Sequence, residues 1–233
     1  MSSPERAPVS DDAAPSAPVA PDTKEPSRRL PSRLLLARHG ESTWNAERRV
    51  QGQHDPPLSK RGRQQARELA ARLAGHPLAA FYSSDLKRTL ETAEPIAEAL
   101  GRDPVPLPGL REIALGEWEG KTREELMVEY PELWERWSRR PDWDIVPGGE
   151  GAGAFERRVL ETLAWLRARH PIGDVLCVTH GGVIQVLLGS VVAPDRGSDG
   201  LFPFVIDNCS LTVLQRTGSR TVVTAVNDVC HLS

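Results

Sequence analysis

The chain has 233 residues, enough for one large domain or two small ones. Its 29 Lys and Arg against 32 Asp and Glu leave a formal net charge of −3, which gives no support for a nucleic-acid or membrane-surface partner. The three cysteines, Cys177, Cys209 and Cys230, show no Cys-x-x-Cys pairing and argue for a reducing, cytoplasmic setting.

Residues 1–31 are rich in Pro, Ala, Ser and charge and almost lack large apolar side chains, so a disordered tail is expected there. The tail has no apolar core of the secretory-signal kind, and no run is long enough to span a membrane. A folded domain is expected over 32–233. Arg33–Ala37 reads as its first strand. Ser59 is placed to cap a helix that carries Ala66, Leu69, Ala70 and Leu73 on one face. Leu78–Tyr82 reads as a short strand, and Ser83-Ser84-Asp85 as a turn. The helix that follows should run to about Leu100, end at Gly101 and be perturbed by Pro95. Val105–Leu107 is a further candidate strand. Thr122-Arg123-Glu124-Glu125 is a capping box, and Pro131 starts the next helix. Pro147–Gly153 is a glycine-rich loop. Phe155–Arg169 is a helix with Val159, Leu163 and Leu166 on one face, Asp174–Thr179 a strand, and Val183–Val192 a helix. Leu211–Gln215 and Thr221–Val226 form a hairpin joined at Thr217-Gly218. Strands alternate with helices through most of the chain, so the class is α/β with a mostly parallel sheet.

Two of the strands end alike. Leu34–Ala37 runs into Arg38-His39-Gly40-Glu41, and Val175–Val178 runs into Thr179-His180-Gly181-Gly182. Sites in open α/β sheets form at the carboxyl ends of strands. Two histidines delivered there, with an arginine beside one, suit attack on a phosphoryl group, and a following glycine lets the backbone approach an anion. Arg88, just inside a helix start, adds to an anion site, although on its own it reads more readily as an exposed helical arginine. Glu112 lies between apolar neighbours, where a carboxyl can donate to a leaving group; it reads equally as a salt-bridge partner of Arg111. His54, His76, His170 and His231 have no such context and are expected at the surface. No cysteine or histidine spacing suggests a metal site.

The whole set of motifs, in order, resembles the histidine phosphatase (phosphoglycerate-mutase-like) superfamily from about Arg33 to Leu214. It includes Leu36-Ala37-Arg38-His39-Gly40-Glu41 with Trp44-Asn45, Val50-Gln51-Gly52-Gln53, and Tyr82-Ser83-Ser84-Asp85-Leu86 with Arg88. It continues with Arg111-Glu112, Leu115-Gly116-Glu117-Trp118-Glu119-Gly120, Pro147-Gly148-Gly149-Glu150 and Val178-Thr179-His180-Gly181-Gly182. The resemblance implies a three-layer α/β/α sandwich, with residues 113–150 folded over the site as a small helical cap. It implies His39 as the nucleophile that becomes phosphohistidine. Arg38, Arg88 and His180 would hold the phosphoryl oxygens, helped by Asn45, with Glu112 as the proton donor. Gln51 would line the entrance, Gly181 would be part of the binding turn, and Glu150 an orienting carboxylate behind the pocket. No cofactor or metal is implied.

Mutases share the superfamily. The resemblance separates them here, because Leu115–Gly120 stands where mutases carry a His-Tyr-Gly block, and Gln51-Gly52-Gln53 where they carry Gly-Trp. It therefore points to a metal-independent phosphomonoesterase, with phosphoglycerate mutase and a catalytically weak phospho-ligand binder as alternatives. Acidic residues outnumber basic ones in 113–150, which favours small phosphorylated metabolites over large polyanions. Trp118, Trp134, Trp137 and Trp143 read mainly as packing of the cap. A homodimer closed along the Leu211–Val226 hairpin is compatible with the sequence.

Overall fold

The computed structural model describes residues 32–193 and 204–232; the expected tail, 1–31, lies outside the described residues. Six strands make one sheet: β1 (Arg33–Arg38), β2 (Ala80–Ser83), β3 (Val105–Pro106), β4 (Asp174–Thr179), β5 (Leu211–Thr217) and β6 (Arg220–Asp228). Their spatial order is β3-β2-β4-β1-β5-β6. The first four of that order run parallel, and β5 and β6 are antiparallel additions at one edge.

Strand side chains alternate between two cores, as the period-two geometry of a strand requires. On one face Leu35, Ala37, Phe81, Leu176 and Val178 meet the buried stripes of α2 (Lys60–Leu73) and α3 (Lys87–Leu100). On the other, Leu34, Leu36, Tyr82, Val175 and Cys177 meet α6 (Ala152–Arg169) and α7 (Gly181–Val192). Helices therefore cover both faces of the central strands, which is why those strands read as unbroken apolar runs. The fold is a three-layer α/β/α sandwich with a mostly parallel sheet.

The remaining helices are short. α1 (Thr43–Ala46) follows the first strand end, closed by a Ser42 capping box. α4 (Arg123–Glu129) starts at the Thr122 capping box, and α5 (Pro131–Arg139) has Pro131 in its first turn. Single 3-10 turns lie at Gly116–Trp118 and Trp143–Ile145. Trp118, Trp134, Trp137 and Trp143 pack on one another, with ring centroids 5.4–6.2 Å apart. Trp118 is buried beneath them.

Four local expectations change. Pro95 does not interrupt α3, which continues to Leu100; it forfeits one backbone bond, and burial of Ala93, Ile96 and Ala97 around it holds the helix. α6 and α7 begin at Ala152 and Gly181, earlier than their apolar periodicity suggests, because they open on Ala152-Gly153-Ala154 and Gly181-Gly182, small residues outside the apolar stripe. The hairpin is longer, turning at Gly218-Ser219. Of the four histidines expected at the surface, only His54 is exposed. His76 reaches Asp174 at 2.7 Å, His170 meets the Tyr82 hydroxyl at 2.9 Å, and His231 Nε2 lies 3.0 Å from the Cys209 carbonyl.

Leu36 has no exposed surface at the centre of β1. Leu36→Ala should lower stability by about 2–5 kcal/mol, measured as a lower urea midpoint with an unchanged slope.

Candidate active site

β1 and β4 pair in parallel with Arg38 opposite Thr179, so the two strands end level. The next residues, His39 and His180, emerge side by side, and the His39 amide continues the ladder to the Thr179 carbonyl at 2.9 Å. Their rings stand 5.2 Å apart, centre to centre. β2 ends beside them: the Ser84 amide bonds the Val178 carbonyl at 2.9 Å. Three strand ends thus deliver two histidines and a serine to one place.

Hydrogen bonding assigns the tautomers. His39 Nδ1 lies 2.7 Å from the Gly40 carbonyl, which only accepts, so Nδ1 carries the proton and Nε2 keeps its lone pair. His180 Nδ1 lies 3.2 Å from an Arg88 Nη2, which only donates. His180 therefore carries its proton on Nε2 and gives it to Ser84 Oγ at 2.9 Å. Both ring nitrogens of His180 are engaged, so a bond from it to a phosphoryl oxygen requires an exchange of partner.

Arg88 is fully buried, not the exposed helical arginine that its position alone suggests. It donates to the carbonyls of His54 and Gly52, each at 2.7 Å. Burial pulls its guanidinium down to about 10, still charged at neutral pH, against the pull of Glu112 and Asp55. Arg38 donates to the Ile206 carbonyl at 2.5 Å. The Nε atoms of both arginines are buried and unpartnered. Two such donors beside His39 make a cradle for an anion. Burial first, then Arg88 and Arg38, holds the His39 imidazole well below its usual value; His180 is lowered by burial and Arg88. Both rings stay neutral.

Glu112 does not pair with Arg111, which binds Asp85 instead at 2.7 Å. Its carboxylate accepts from the Gly182 amide at the start of α7 and from the Ile113 amide, both at 3.0 Å. Gly182 makes this possible, since a Cβ there would lie 2.2 Å from Glu112 Oε1. The other two glycines have different reasons. A Cβ on Gly40 would strike the Gly62 carbonyl at 2.6 Å, so Gly40 lets the turn pack on α2 rather than on an anion. At Gly181 the nearest atom, Arg38 Nε, would be 3.7 Å away, an ordinary contact distance for a Cβ.

Arg38, His39, Gln51, Arg88, Glu112 and Gly181 line one cavity of about 300 Å³. His180 lies behind it. Asn45 is outside the lining: its Oδ1 accepts from the Ser42 amide and, at 3.3 Å, from Asn208, and Asn208 also donates to the His39 carbonyl. Glu150 stands behind the cavity, where it holds Arg158 through two bonds of 2.8 Å and accepts from the Ala114 amide.

Sequence reasoning missed two supports. Arg158 donates to the carbonyls of Gly109, Arg111 and Glu112, and so fixes the segment that carries Glu112. Its one signal was a place between Phe155 and Val159, on the buried side of α6. Glu119 accepts from the Leu115, Gln53 and His54 amides and ties the Gln51–His54 turn to the far wall. Among the described residues no group of three or more His, Cys, Asp or Glu is placed to hold a metal ion, and no helix is long and apolar enough to cross a membrane.

Level strand ends, paired neutral histidines and two arginines with buried free Nε donors define an α/β protein with a pocket suited to an anion. Residues 34–229 match the model of the histidine phosphatase superfamily, branch 1, and the chain belongs to that family. It is 37% identical over 200 residues to phosphoserine phosphatase 1 of Hydrogenobacter thermophilus, covering 86% of this chain and 94% of that one. It is 36% identical over 203 residues to phosphoglycerate mutase-like protein 4 of Arabidopsis thaliana, covering 85% of this chain and 86% of that one. Among solved structures it resembles Bacillus stearothermophilus YhfR with a TM-score of 0.79 and 36% identity, covering 87% of this chain and all of that one.

Gly182→Ala should displace Glu112 and lower kcat about a hundredfold, while Gly181→Ala lowers it far less; steady-state phosphate release compares the two. The histidines set a pH dependence of stability. Each stays neutral when folded but takes a proton when unfolded, so its contribution is complete above about pH 6.5 and is lost as pH falls from there towards the folded value. Urea midpoints should therefore drop between pH 7 and pH 5, and His39→Gln should flatten that slope.

Proposed function

We propose that the protein is a phosphomonoester hydrolase for small phosphorylated metabolites, working through a phosphohistidine and without a metal. The observation that carries this is His39: its Nδ1 proton is held by the Gly40 carbonyl, and its neutral Nε2 stands beside buried Arg88 and half-buried Arg38, each of which keeps a buried, unused Nε–H. Relatives that carry phosphatase names, and the superfamily itself, support the reading.

In the first step Nε2 attacks phosphorus as the ester P–O bond breaks, and the carboxyl of Glu112 gives its proton to the departing alcohol oxygen. In the second, Glu112 takes a proton from water, the water oxygen bonds phosphorus, and the P–N bond breaks to return neutral His39 and inorganic phosphate. Arg38 and Arg88 carry the charge of the transferring group in both steps, the part a metal plays elsewhere. His180 holds Arg88 by its Nδ1 and completes the cradle. Asn45 acts at one remove, through the turn that it shares with Ser42 and Asn208. Gln51 lines the way in. Phosphoglycerate mutase is the alternative, and the name of the Arabidopsis relative favours it; a mutase returns the isomeric phosphoglycerate rather than phosphate.

Rapid-quench first turnovers in EDTA test the scheme. Wild type should form an acid-labile, base-stable protein phosphate that His39→Ala lacks. Glu112→Gln should slow transfer to His39 far more from sugar phosphates than from p-nitrophenyl phosphate, whose leaving group needs little protonation. Label on the His39 variant, equal slowing of both esters, or loss of activity in EDTA would each overturn a part of the scheme.

A further inference from the structure

The cavity has two chemically different halves. At its floor lie Arg38, His39, Arg88 and Glu112, and the phosphoryl group and its leaving oxygen use all four. The rest of the described lining is uncharged. Val50, Ile113, Trp143, Phe155 and Ile206 give it apolar walls, and Gln51 and Gln185 are its polar side chains. The Gln51 Oε1 is already committed, because it accepts from Ser42 Oγ at 2.8 Å. Gln185 is not. It stands on α7 one turn beyond Gly181, and its Oε1 is buried with no hydrogen-bond partner. A buried polar atom left unpaired costs free energy that a ligand group recovers by bonding it.

Resting on the phosphatase reading, we propose that Gln185 is a specificity-determining residue. It selects the phosphate monoester of an uncharged, hydroxyl-bearing alcohol with an apolar face, a sugar phosphate in class, over phosphorylated amino acids and hydroxy acids. A hydroxyl both donates and accepts, so it satisfies the carboxamide in either orientation. The carbon-bound face of a sugar ring fits the Trp143 and Phe155 side of the cavity. An ammonium or carboxylate brought to the same place would lose its water against apolar walls. No lining side chain among the described residues outside the phosphate floor would supply a counter-charge.

The test is kcat/KM for ribose 5-phosphate, glucose 6-phosphate, phosphoserine, 3-phosphoglycerate and p-nitrophenyl phosphate with the full chain. Wild type should favour at least one sugar phosphate over phosphoserine and 3-phosphoglycerate by about tenfold or more. Gln185→Leu should lower that sugar-phosphate value about tenfold more than the p-nitrophenyl phosphate value, because the aryl ester has no hydroxyl to lose. Gln185→Arg should raise 3-phosphoglycerate relative to the sugar phosphates about fivefold or more, a gain that misfolding cannot produce. Equal or better turnover of phosphoserine or 3-phosphoglycerate by wild type overturns the inference alone. So does an equal loss on sugar and aryl esters in Gln185→Leu, or an unchanged preference in Gln185→Arg. No phosphate from any ester, p-nitrophenyl phosphate included, overturns the phosphatase reading itself.

Discussion

A charged guanidinium with no exposed surface is expensive, and the arrangement around Arg88 is what makes it tolerable. Two backbone carbonyls, one imidazole nitrogen and the charges of Glu112 and Asp55 compensate it. Each compensating group fixes something in return. The Gly52 and His54 carbonyls hold the turn that carries Gln51 to the entrance. The bond to His180 sets that ring's tautomer. The Asp55 carboxylate caps the start of α3 through the Lys87 amide at 2.6 Å, and so orients the helix on which Arg88 stands. The strand ends, the entrance turn and α3 are tied together through one side chain.

A second set of bonds places the carboxyl. Glu112 hangs between the Gly182 amide in the first turn of α7 and the amide of its own neighbour Ile113, while Arg158 and Glu150 clamp the backbone on either side. Arg158 stands on α6 and Glu150 just before it, on the opposite face of the sheet from α3. His39, Arg88 and Glu112 are thus held by elements from both outer layers and meet at the carboxyl ends of the central strands. That geometry suits a reaction in which positioning and charge stabilisation outweigh covalent work by the protein.

The segment between β3 and α6 contributes differently. Its tryptophans are spent largely on one another, which gives short helices a rigid core of their own; Trp143 alone among them lines the cavity. The walls away from the phosphate are therefore firm and apolar. On the proposed reading, affinity for the rest of a substrate comes from shape and the Gln185 carboxamide rather than from ion pairs.

Much of the architecture was legible in the residues, because it rests on local rules. The apolar runs at Leu34–Ala37 and Val175–Val178 mark strands buried on both faces. The Ser59 cap, the Thr122 capping box and Gly101 mark helix ends, and two His-Gly turns mark the place where a site forms. The candidate site residues were legible as a set only because many short motifs stood in the order of a known family; one at a time, Arg88 read as an exposed helical arginine and Glu112 equally as a proton donor or a salt-bridge partner of Arg111. Tertiary structure decided the rest, because hydrogen-bond partners tens of residues apart leave no local trace. It buried Arg88, turned Arg111 away from Glu112 to Asp85, and made Gly182 rather than Gly181 the position that cannot hold a side chain. It brought Arg158 to the Glu112 backbone. It also left the Gln185 Oε1 unpaired in the half of the cavity whose described lining is uncharged, a fact of packing between α7 and distant loops that no periodicity in the chain encodes.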